Sequence, residues 1–319
     1  MKHKKLLLVI LFLLLLLVVY LVFIKVPVKK PLISKTNPNP ANLHKGSVIT
    51  TNTLKHIFLI VDENQPYTNI VNNPNAPYLN LLIKQYSSAT NYHAVAHPSL
   101  PNYLALTSGS TDGTSTDCNP PSAGCEVGVN NIADLIKNSG RTWKEYAESM
   151  PSACYTYNAL PYATKHNPFI YYKDIIDNQT RCSKNVVPFS QLQTDLSSIN
   201  TTPNYAFITP NLCNDMHSCL ISVGDNWLSK VVPMILNSKA FTTQPSVLFI
   251  TWDEGYATNN HVLALLIGNS VKNDYQSTVY YSHYSILHTI EVAWGLPTLT
   301  TNDKQATVMS EFFKPNIKI

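Results

Sequence analysis

The amino-terminal part of the chain contains no acidic residue, because the first Asp or Glu is Asp62. Seven lysines precede residue 36, so removing them from the formal net charge of +4 leaves about −3 for the remainder. The basic isoelectric point therefore describes the amino terminus and not the rest of the chain. This distribution argues against a nucleic-acid-binding face.

A small-residue cleavage site of the Ala-x-Ala type is also missing after the first apolar segment. That segment, Leu6 to Ile24, is an unbroken apolar run of 19 residues and is long enough to span a bilayer. A cleaved signal peptide has a shorter apolar core and a small-residue site. Residues 1–30 are therefore predicted to form an uncleaved signal anchor, a transmembrane helix, and cleavage with secretion is the alternative. Residues 31–53, rich in Pro and Asn, are predicted to be a linker to one domain over residues 54–319.

No cysteine precedes Cys118, which excludes a lipid-modified cysteine beside the apolar run. All six cysteines follow that run, and an even count there indicates disulfides formed in an oxidising compartment. We therefore expect a membrane-anchored domain outside the cytoplasm. A zinc site at Cys213, His217 and Cys219 is a rival, but Cys-x5-Cys is not a zinc-ligand spacing. The expected pairing is local: Cys118–Cys125, Cys154–Cys182 and Cys213–Cys219.

Two apolar runs of buried-strand length end in adjacent acids. The run from His56 to Val61 leads into Asp62-Glu63-Asn64, and the run from Ser246 to Trp252 leads into Asp253-Glu254-Gly255. The carboxyl ends of parallel strands are where open α/β sheets bind ligands. A single acid at a strand end is usually just solvated, but two such pairs favour a divalent metal held by oxygen ligands.

A hydroxyl, a histidine and an amide lie close together in His97-Pro98-Ser99-Leu100-Pro101-Asn102. An apolar run follows, so this stretch predicts a helix whose first turn carries Ser99. Serine at that place is most often an N-cap, and spacing alone favours that interpretation. A helix start is also where phosphoryl groups bind.

These motifs resemble those of the bacterial phosphoesterase family that contains acid phosphatases and phosphatidylcholine-type phospholipases C, within the alkaline-phosphatase-like superfamily. Ser99 also matches the nucleophilic Thr of nucleotide pyrophosphatase/phosphodiesterases. The resemblance covers about residues 54 to 297, and five motifs in order are stronger evidence than one. With alternating strands and helices, it implies a three-layer α/β/α sandwich with a mostly parallel central sheet. The motifs are Val61–Tyr67, His97–Asn102, Thr209–His217, Thr251–Gly255 and Ser282–Ser285.

The resemblance implies metal-dependent hydrolysis of small phosphate monoesters through a Ser99 phosphoenzyme. Asn102 would donate to a phosphoryl oxygen, and His217 would protonate the leaving group. The oxygen-rich ligand set suits Mg, Mn or Ca better than Zn. Asp215, His261 and His283 are candidates for a second metal or for substrate binding, whereas His56 and His166 are interpreted as surface residues. The implied metal ligands are Glu63, Asn64, Ser99, Asp253 and Glu254.

Three alternatives remain open. The first is a phospholipase C or another phosphodiesterase, although phospholipases C usually carry His-Gly-Gly where this chain has Gly255-Tyr256-Ala257. The second is an α/β-hydrolase-type esterase built on Gly109–Gly113 with Asp253 and His283, but no strand leads into that stretch. The third is a non-catalytic surface protein.

Overall fold

The computed structural model describes residues 52–256 and 258–319. The predicted anchor over residues 1–30 and all but the end of the predicted linker lie outside these residues. Within the described ranges, no helix has both the length and the apolar character that crossing a membrane requires. The last two linker residues, Asn52–Thr53, are a short strand that pairs with Ile317–Lys318.

A nine-stranded sheet forms the centre of the described domain. Its order is β10-β3-β8-β7-β2-β6-β4-β5, and β9 pairs with β3 beside that path. The strands are β1 (Asn52–Thr53), β2 (His56–Asp62), β3 (Ser87–His93), β4 (Trp143–Ala147), β5 (Val186–Pro188), β6 (Tyr205–Thr209), β7 (Ser246–Trp252), β8 (His261–Ile267), β9 (Tyr275–Ser277), β10 (Tyr281–Ser282) and β11 (Ile317–Lys318).

The sheet is mixed, with one reversed strand inside it. Strands β5, β4, β6, β2 and β7 are parallel neighbours, whereas β8 is antiparallel to both β7 and β3. The short connection over residues 253–260 explains the reversal, because parallel neighbours need a long crossover. The predicted α/β class is confirmed, and β8 is the departure from a parallel sheet.

Helices cover both faces of the sheet. Phe58 of β2 lies 5.2 Å from Phe241 between ring centroids, and Phe207 of β6 lies 6.2 Å from Tyr103. Phe207 is paired with Leu59, the residue after Phe58. Because successive side chains of a strand point to opposite faces, the helices that carry Phe241 and Tyr103 lie on opposite sides of the sheet.

The helix predicted to carry Ser99 in its first turn is present, over Ser99–Ser108. The helix that follows strand β5 (Val186–Pro188) is short, over Gln191–Asp195. Asp225 does not cap its own helix, which begins at Ile221; its carboxylate accepts the N–H groups of Tyr78 and Leu79 at 3.0 and 2.8 Å. The helices are α1 (Tyr67–Ile70), α2 (Pro77–Gln85), α3 (Ser99–Ser108), α4 (Ile132–Asn138), α5 (Lys173–Ile176), α6 (Gln179–Asn185), α7 (Gln191–Asp195), α8 (Ile221–Leu236), α9 (Lys239–Thr243), α10 (His283–Trp294) and α11 (Thr301–Gln305).

Three disulfides bridge the loops of the domain, and their pairing is the predicted local one. All six cysteines are used, and disulfides of this kind persist in oxidising compartments. The bridges are Cys118–Cys125, Cys154–Cys182 and Cys213–Cys219.

Candidate active site

The two acid-bearing strand ends lie side by side. Strands β2 and β7 are parallel neighbours, and Asp62 is paired with Trp252 in the register. Just beyond the strands, the Asp253 N–H donates to the Asp62 carbonyl at 2.9 Å. The residues that follow each strand, Glu63-Asn64 and Asp253-Glu254, are therefore brought to one place at the carboxyl edge of the sheet, as predicted.

Asn64 ties the two strand ends together. Its φ of 47° lies in the left-handed region, which Asn adopts more readily than most residues. Its N–H donates to Asp253 Oδ1 at 2.9 Å, and its Nδ2 donates to Glu254 Oε1 at 3.1 Å. Asn64 thus bonds to both acids of the second motif, to Asp253 through its backbone N–H and to Glu254 through its side chain.

Ser99 lies at the start of α3 but does not cap the helix. The helix begins at Ser99, the preceding Pro98 is the N-cap, and the Leu100 N–H at this end is accepted by Asp117 Oδ1 at 3.1 Å. The fully buried hydroxyl instead donates to Glu63 Oε2 at 3.0 Å and lies 3.5 Å from Asn64 Oδ1. The N-cap interpretation favoured by spacing alone is therefore wrong.

The second acid pair carries more negative charge than its surroundings neutralise. Asp253 is fully buried and its Oδ2 has no hydrogen-bond partner. Burial, followed by the charges of Glu63 and Glu254, raises the pKa of Asp253 well above its ordinary value. Burial also raises the pKa of Glu254, against the lowering effect of its bond to His97. The His97 side chain is 47% exposed, so this pair reaches the surface.

The oxygen set fits a hard divalent cation in its chemistry. Carboxylate and amide oxygens from Glu63, Asn64 and Asp253 are the ligands that Mg²⁺ and Ca²⁺ prefer. Asp253 Oδ2 is buried without a partner, which is an open ligand position. In the described ranges 52–256 and 258–319, however, no three His, Cys, Asp or Glu side chains are grouped closely enough to hold a metal as they stand. Cation binding would therefore require Glu63 or Glu254 to exchange some of its present hydrogen bonds.

His166 is the main residue that the sequence prediction missed, and its interpretation as a surface residue is wrong. It is buried, its Nε2 lies 3.1 Å from Glu63 Oε2 and its Nδ1 lies 3.4 Å from Asp215 Oδ2. Burial alone would lower the pKa of His166. The charge of Glu63 and the bonds to Asp215 and Glu63 outweigh burial and raise that pKa to about 9. His166 is thus a buried cation between two acids.

The pKa of Glu63 responds in the opposite direction. Burial by itself would raise it, but the charge and hydrogen bond of His166, with Lys165 and Tyr103, lower it. The Tyr103 hydroxyl donates to Glu63 Oε1, and its ring stacks on His166 at 5.6 Å between centroids. Glu63 is therefore held as a carboxylate while it accepts the Ser99 hydroxyl.

Asp215 and His217 lie beside this cluster, on the loop after β6. The Asp215 carbonyl accepts the Glu63 N–H at 2.8 Å, and its Oδ1 accepts the His217 N–H at 2.8 Å. Burial raises the pKa of Asp215. The His217 ring is exposed, with its centroid 6.4 Å from that of His166. Both predicted residues therefore belong to the site, and the Cys213–Cys219 bridge encloses them.

Asn102 braces the loop that precedes Ser99. Its Oδ1 accepts the N–H groups of Val95 and Ala96, and its Nδ2 donates to the carbonyls of Ala96 and Pro98. Every hydrogen-bonding atom of this amide is used within the loop. A bond from Asn102 to a phosphoryl oxygen stays a prediction and would replace one of these contacts.

His283 and His261 lie further from Ser99. The buried His283 ring is bonded to the Asp253 carbonyl at 2.6 Å and to the Tyr92 hydroxyl at 2.9 Å, and burial lowers its pKa to about 4. A neutral His283 therefore holds the backbone of Asp253. His261 begins β8, bonds to the Thr90 carbonyl at 2.9 Å and is separated from the Asp215 loop by β7 and β2. The described structure does not bring His261 and Asp215 together.

The fold is similar to that of solved structures from the alkaline phosphatase superfamily. The domain is similar to a protein of that superfamily from Vibrio parahaemolyticus, with a TM-score of 0.55 and 12% identity over 84% of this chain and 76% of that chain. A murine ectonucleotide pyrophosphatase/phosphodiesterase gives a TM-score of 0.52 with 9% identity, over 79% of this chain and 100% of that chain. At such low identity these likenesses define the fold alone.

Sequence comparison then gives the family, because residues 69–297 match the Phosphoesterase family. The chain is 34% identical over 241 residues to the phosphate-repressible acid phosphatase of Penicillium chrysogenum, covering 72% of this chain and 57% of that protein. It is 32% identical over 248 residues to the phosphatidylinositol-3-phosphatase of Mycobacterium tuberculosis, covering 77% of this chain and 78% of that protein. The chain belongs to the Phosphoesterase family, and its relatives include a fungal protein. It spans little more than half the length of the fungal relative.

Proposed function

We propose that this chain hydrolyses phosphate monoesters with Ser99 as the nucleophile. The observation that carries the proposal is the buried Ser99 hydroxyl, which bonds to Glu63 although it lies at a helix start where a cap is expected. The relatives described above are named phosphatases, which supports the same reaction class. In the reaction the Ser99 oxygen attacks phosphorus and passes its proton to Glu63 while the ester oxygen leaves; water then attacks phosphorus, phosphate is released, and the proton returns to the Ser99 oxygen.

Charge is the main obstacle that the site must overcome. A phosphate monoester approaches Glu63, Asp253 and Glu254, and like charges in a buried site repel strongly. His166 supplies one buried positive charge beside Glu63. Its role in this scheme is to hold Glu63 and Asp215 in place and to offset their charge.

We propose that Glu63, Asn64, Ser99, Asp253 and Glu254 also hold a divalent cation, with Mg, Mn or Ca preferred. Such a cation, when bound, would lower the pKa of the Ser99 hydroxyl and stabilise negative charge on the phosphoryl oxygens. Glu63, with its lowered pKa, is a weak base that orients the hydroxyl before it accepts the proton. The open Oδ2 of Asp253 supports this assignment.

The leaving group needs a proton, and His217 is the proposed donor. Its ring is exposed beside the buried cluster, so it can reach a substrate oxygen and exchange protons with water. His166 is less suited, because both of its nitrogens face carboxylates. Ser99 itself is fully buried, so a neighbouring side chain must move to admit the phosphoryl group. His97, half-exposed and bonded to Glu254, is the proposed mobile side chain.

The deciding experiment compares Ser99→Ala with Ser108→Ala. Both serines are buried in α3, but the Ser108 hydroxyl bonds to Leu104 and Asp112 at the far end of the helix. Ser99→Ala should lower kcat by several orders of magnitude with an unchanged circular dichroism spectrum, and Ser108→Ala should keep most activity. Acid trapping after brief exposure to labelled substrate should place the phosphoryl group on Ser99. Label on Thr107 or a histidine, or near-normal kcat in Ser99→Ala, would rule out this nucleophile.

Substrate class is tested with p-nitrophenyl phosphate, bis-p-nitrophenyl phosphate and phosphatidylcholine, each with and without chelator. We expect monoester hydrolysis that is lost on chelation and restored by Mg or Mn. Full activity after exhaustive chelation would refute the metal assignment. Phosphatidylinositol 3-phosphate belongs in the panel because a relative matched over 78% of its length is named for that substrate. Preference for the diester would favour the phosphodiesterase alternative.

The cellular setting is proposed from the disulfides and the amino-terminal sequence together. The three bridges favour an oxidising compartment, and the apolar run from Leu6 to Ile24 is of membrane-spanning length. We infer that the domain acts outside the cytoplasm while the amino terminus stays in the membrane.

A further inference from the structure

A cavity of about 380 Å³ lies at the edge of the sheet opposite to Ser99. Its walls include Trp143, the first residue of β4, together with Asn185 and Pro203, which shortly precede β5 and β6. These strands are parallel, so their amino ends meet at the edge remote from the carboxyl ends that carry the acids. The cavity is therefore separate from the catalytic site.

All charged side chains that line this cavity are positive. Its lining includes five basic side chains and no acidic one. Eight lysines precede residue 52, so residues 52–319 contain only fifteen of the 23 Lys and Arg but all 19 Asp and Glu. A third of the cations of a net acidic domain thus surround one cavity. The five are Lys137, Arg141, Lys144, Arg181 and Lys184.

Two of the five cations form ion pairs with acidic side chains, and three do not. Lys144 lies 2.6 Å from Asp195, and Arg181 bonds to Asp134 and Asp174. The Arg181 side chain is 10% exposed, and its buried Nε has no hydrogen-bond partner. Within the part of the chain that the structure describes, no carboxylate lies within ion-pair distance of the remaining three, Lys137, Arg141 and Lys184. The cavity therefore offers an anion positive charge that no carboxylate within the described residues neutralises.

The polypeptide enters the domain at the same edge. Asn204 donates from its side chain to the carbonyl of Lys55, just before β2, and accepts the N–H of Thr142, which lines the cavity. The exposed Lys55 adds a further positive charge beside this entry point. In sequence, the predicted membrane anchor precedes this entry by one linker. Lys55 and the basic cavity thus lie at the same edge of the sheet.

We propose that this cavity binds the phosphate headgroups of anionic lipids. Clusters of basic residues near a membrane anchor bind anionic surfaces, and each Lys or Arg contributes about a fivefold increase in the binding constant. An otherwise acidic domain is repelled by such a surface, so a local basic cluster would fix which face meets the membrane. The contact would place Ser99 on the side of the domain away from the bilayer, facing soluble phosphate esters.

The test uses the full chain, incorporated from detergent into vesicles of phosphatidylcholine alone or mixed with phosphatidylglycerol. Exposed lysines are acylated with a water-soluble reagent, and the rate at each lysine is read by mass spectrometry. We expect Lys137 and Lys184 to react several-fold more slowly on the anionic vesicles. Lys230, an exposed lysine in the middle of α8, is the control and should react equally on both. Salt at about 1 M, where the screening length falls to about 3 Å, should remove the protection.

A second experiment distinguishes binding of a lipid headgroup from binding of a free anion. Inorganic phosphate is added to the chain in phosphatidylcholine vesicles, and protection of the same lysines to the same extent would assign the cavity to soluble phosphate and overturn the lipid proposal. Arg141→Gln with Lys184→Gln should abolish the protection of Lys137 on anionic vesicles, while Lys230→Gln should not. Equal reaction rates on both vesicle types, or equal protection of Lys230, would also overturn it. Hydrolysis of p-nitrophenyl phosphate serves as the check that each variant is folded.

Discussion

Replacement of His166 by Gln should change the pH dependence of stability in a defined window. His166 is a buried cation between Glu63 and Asp215, and its pKa is raised from an ordinary value of 6.5 to about 9. A raised histidine pKa stabilises the fold fully below the unfolded pKa, and this stabilisation is lost as pH rises through the folded pKa. The difference between the two values corresponds to roughly 3 kcal/mol. Glutamine is neutral at every pH and cannot supply this contribution.

The measurement is urea unfolding of both proteins, followed by tryptophan fluorescence, at intervals from pH 6 to 10. The free energy of unfolding of the natural protein should exceed that of His166→Gln most at pH 6, and the gap should shrink by about 3 kcal/mol by pH 9 to 10. Taking the difference removes the contribution of the carboxyl groups that do not contact His166. A gap that stays constant, or widens with pH, would refute a charged His166.

Tyr103→Phe is the matched control for this experiment. It removes the other hydrogen bond to Glu63 without removing a positive charge. Burial raises the pKa of Tyr103 well above its ordinary value of 10, so this tyrosine stays neutral through the window. A hydrogen bond to a charged group contributes about 1.5–3 kcal/mol, and that cost should be the same at pH 6 and pH 9. Parallel pH curves for the two variants would show that hydrogen bonding alone explains the role of His166.

Two further predictions concern the support of the site. Burial lowers the pKa of His283 to about 4, so the free energy of unfolding of the natural protein, measured with urea, should fall by about 3 kcal/mol between pH 6.5 and pH 4. His283→Gln should not show this loss. The same dependence on pH in both proteins would contradict a neutral buried His283. Removal of the Cys213–Cys219 bridge by a double Ser substitution should reduce kcat as well as the melting temperature, since the bridge encloses Asp215 and His217. Unchanged kcat in the folded variant would mean that the bridge does not support the reaction.

The strands that carry the acids were predictable because they are buried on both faces. Such strands appear as continuous apolar runs, and β2 and β7 have that pattern. Strand β3, with the sequence Ser-Ser-Ala-Thr-Asn-Tyr-His, has no such run and was not predicted. It is a strand because β8, β9 and β10 pair with it, and these contacts are remote in sequence. The residue types within β3 do not indicate pairings with strands that are remote in sequence.

His166 was missed for a related reason. It follows no strand and lies in an irregular stretch, so its residue type alone suggested a solvated histidine. Its burial comes from Glu63 and Asp215, which are far from it in the chain. The available signal was its location between Cys154 and Cys182, in a segment closed by one of the predicted disulfides. Asp225 illustrates the same limit, because it caps a helix remote in sequence and not its own.

The three disulfide loops have a practical consequence for making the protein. Each loop, or the residue beside it, supplies a side chain around Ser99 that no strand holds in place. Asp117, next to Cys118, accepts the Leu100 N–H at the start of α3, His166 lies between Cys154 and Cys182, and Asp215 lies between Cys213 and Cys219. Glu63 and Asp253, in contrast, directly follow strands of the sheet. Expression of residues 52–319, without the predicted anchor, in a reducing bacterial cytosol is therefore expected to give soluble protein with a complete sheet and an incomplete site, whereas export of the same residues to the periplasm should give active enzyme. Yield of soluble protein would be a poor guide to yield of catalyst.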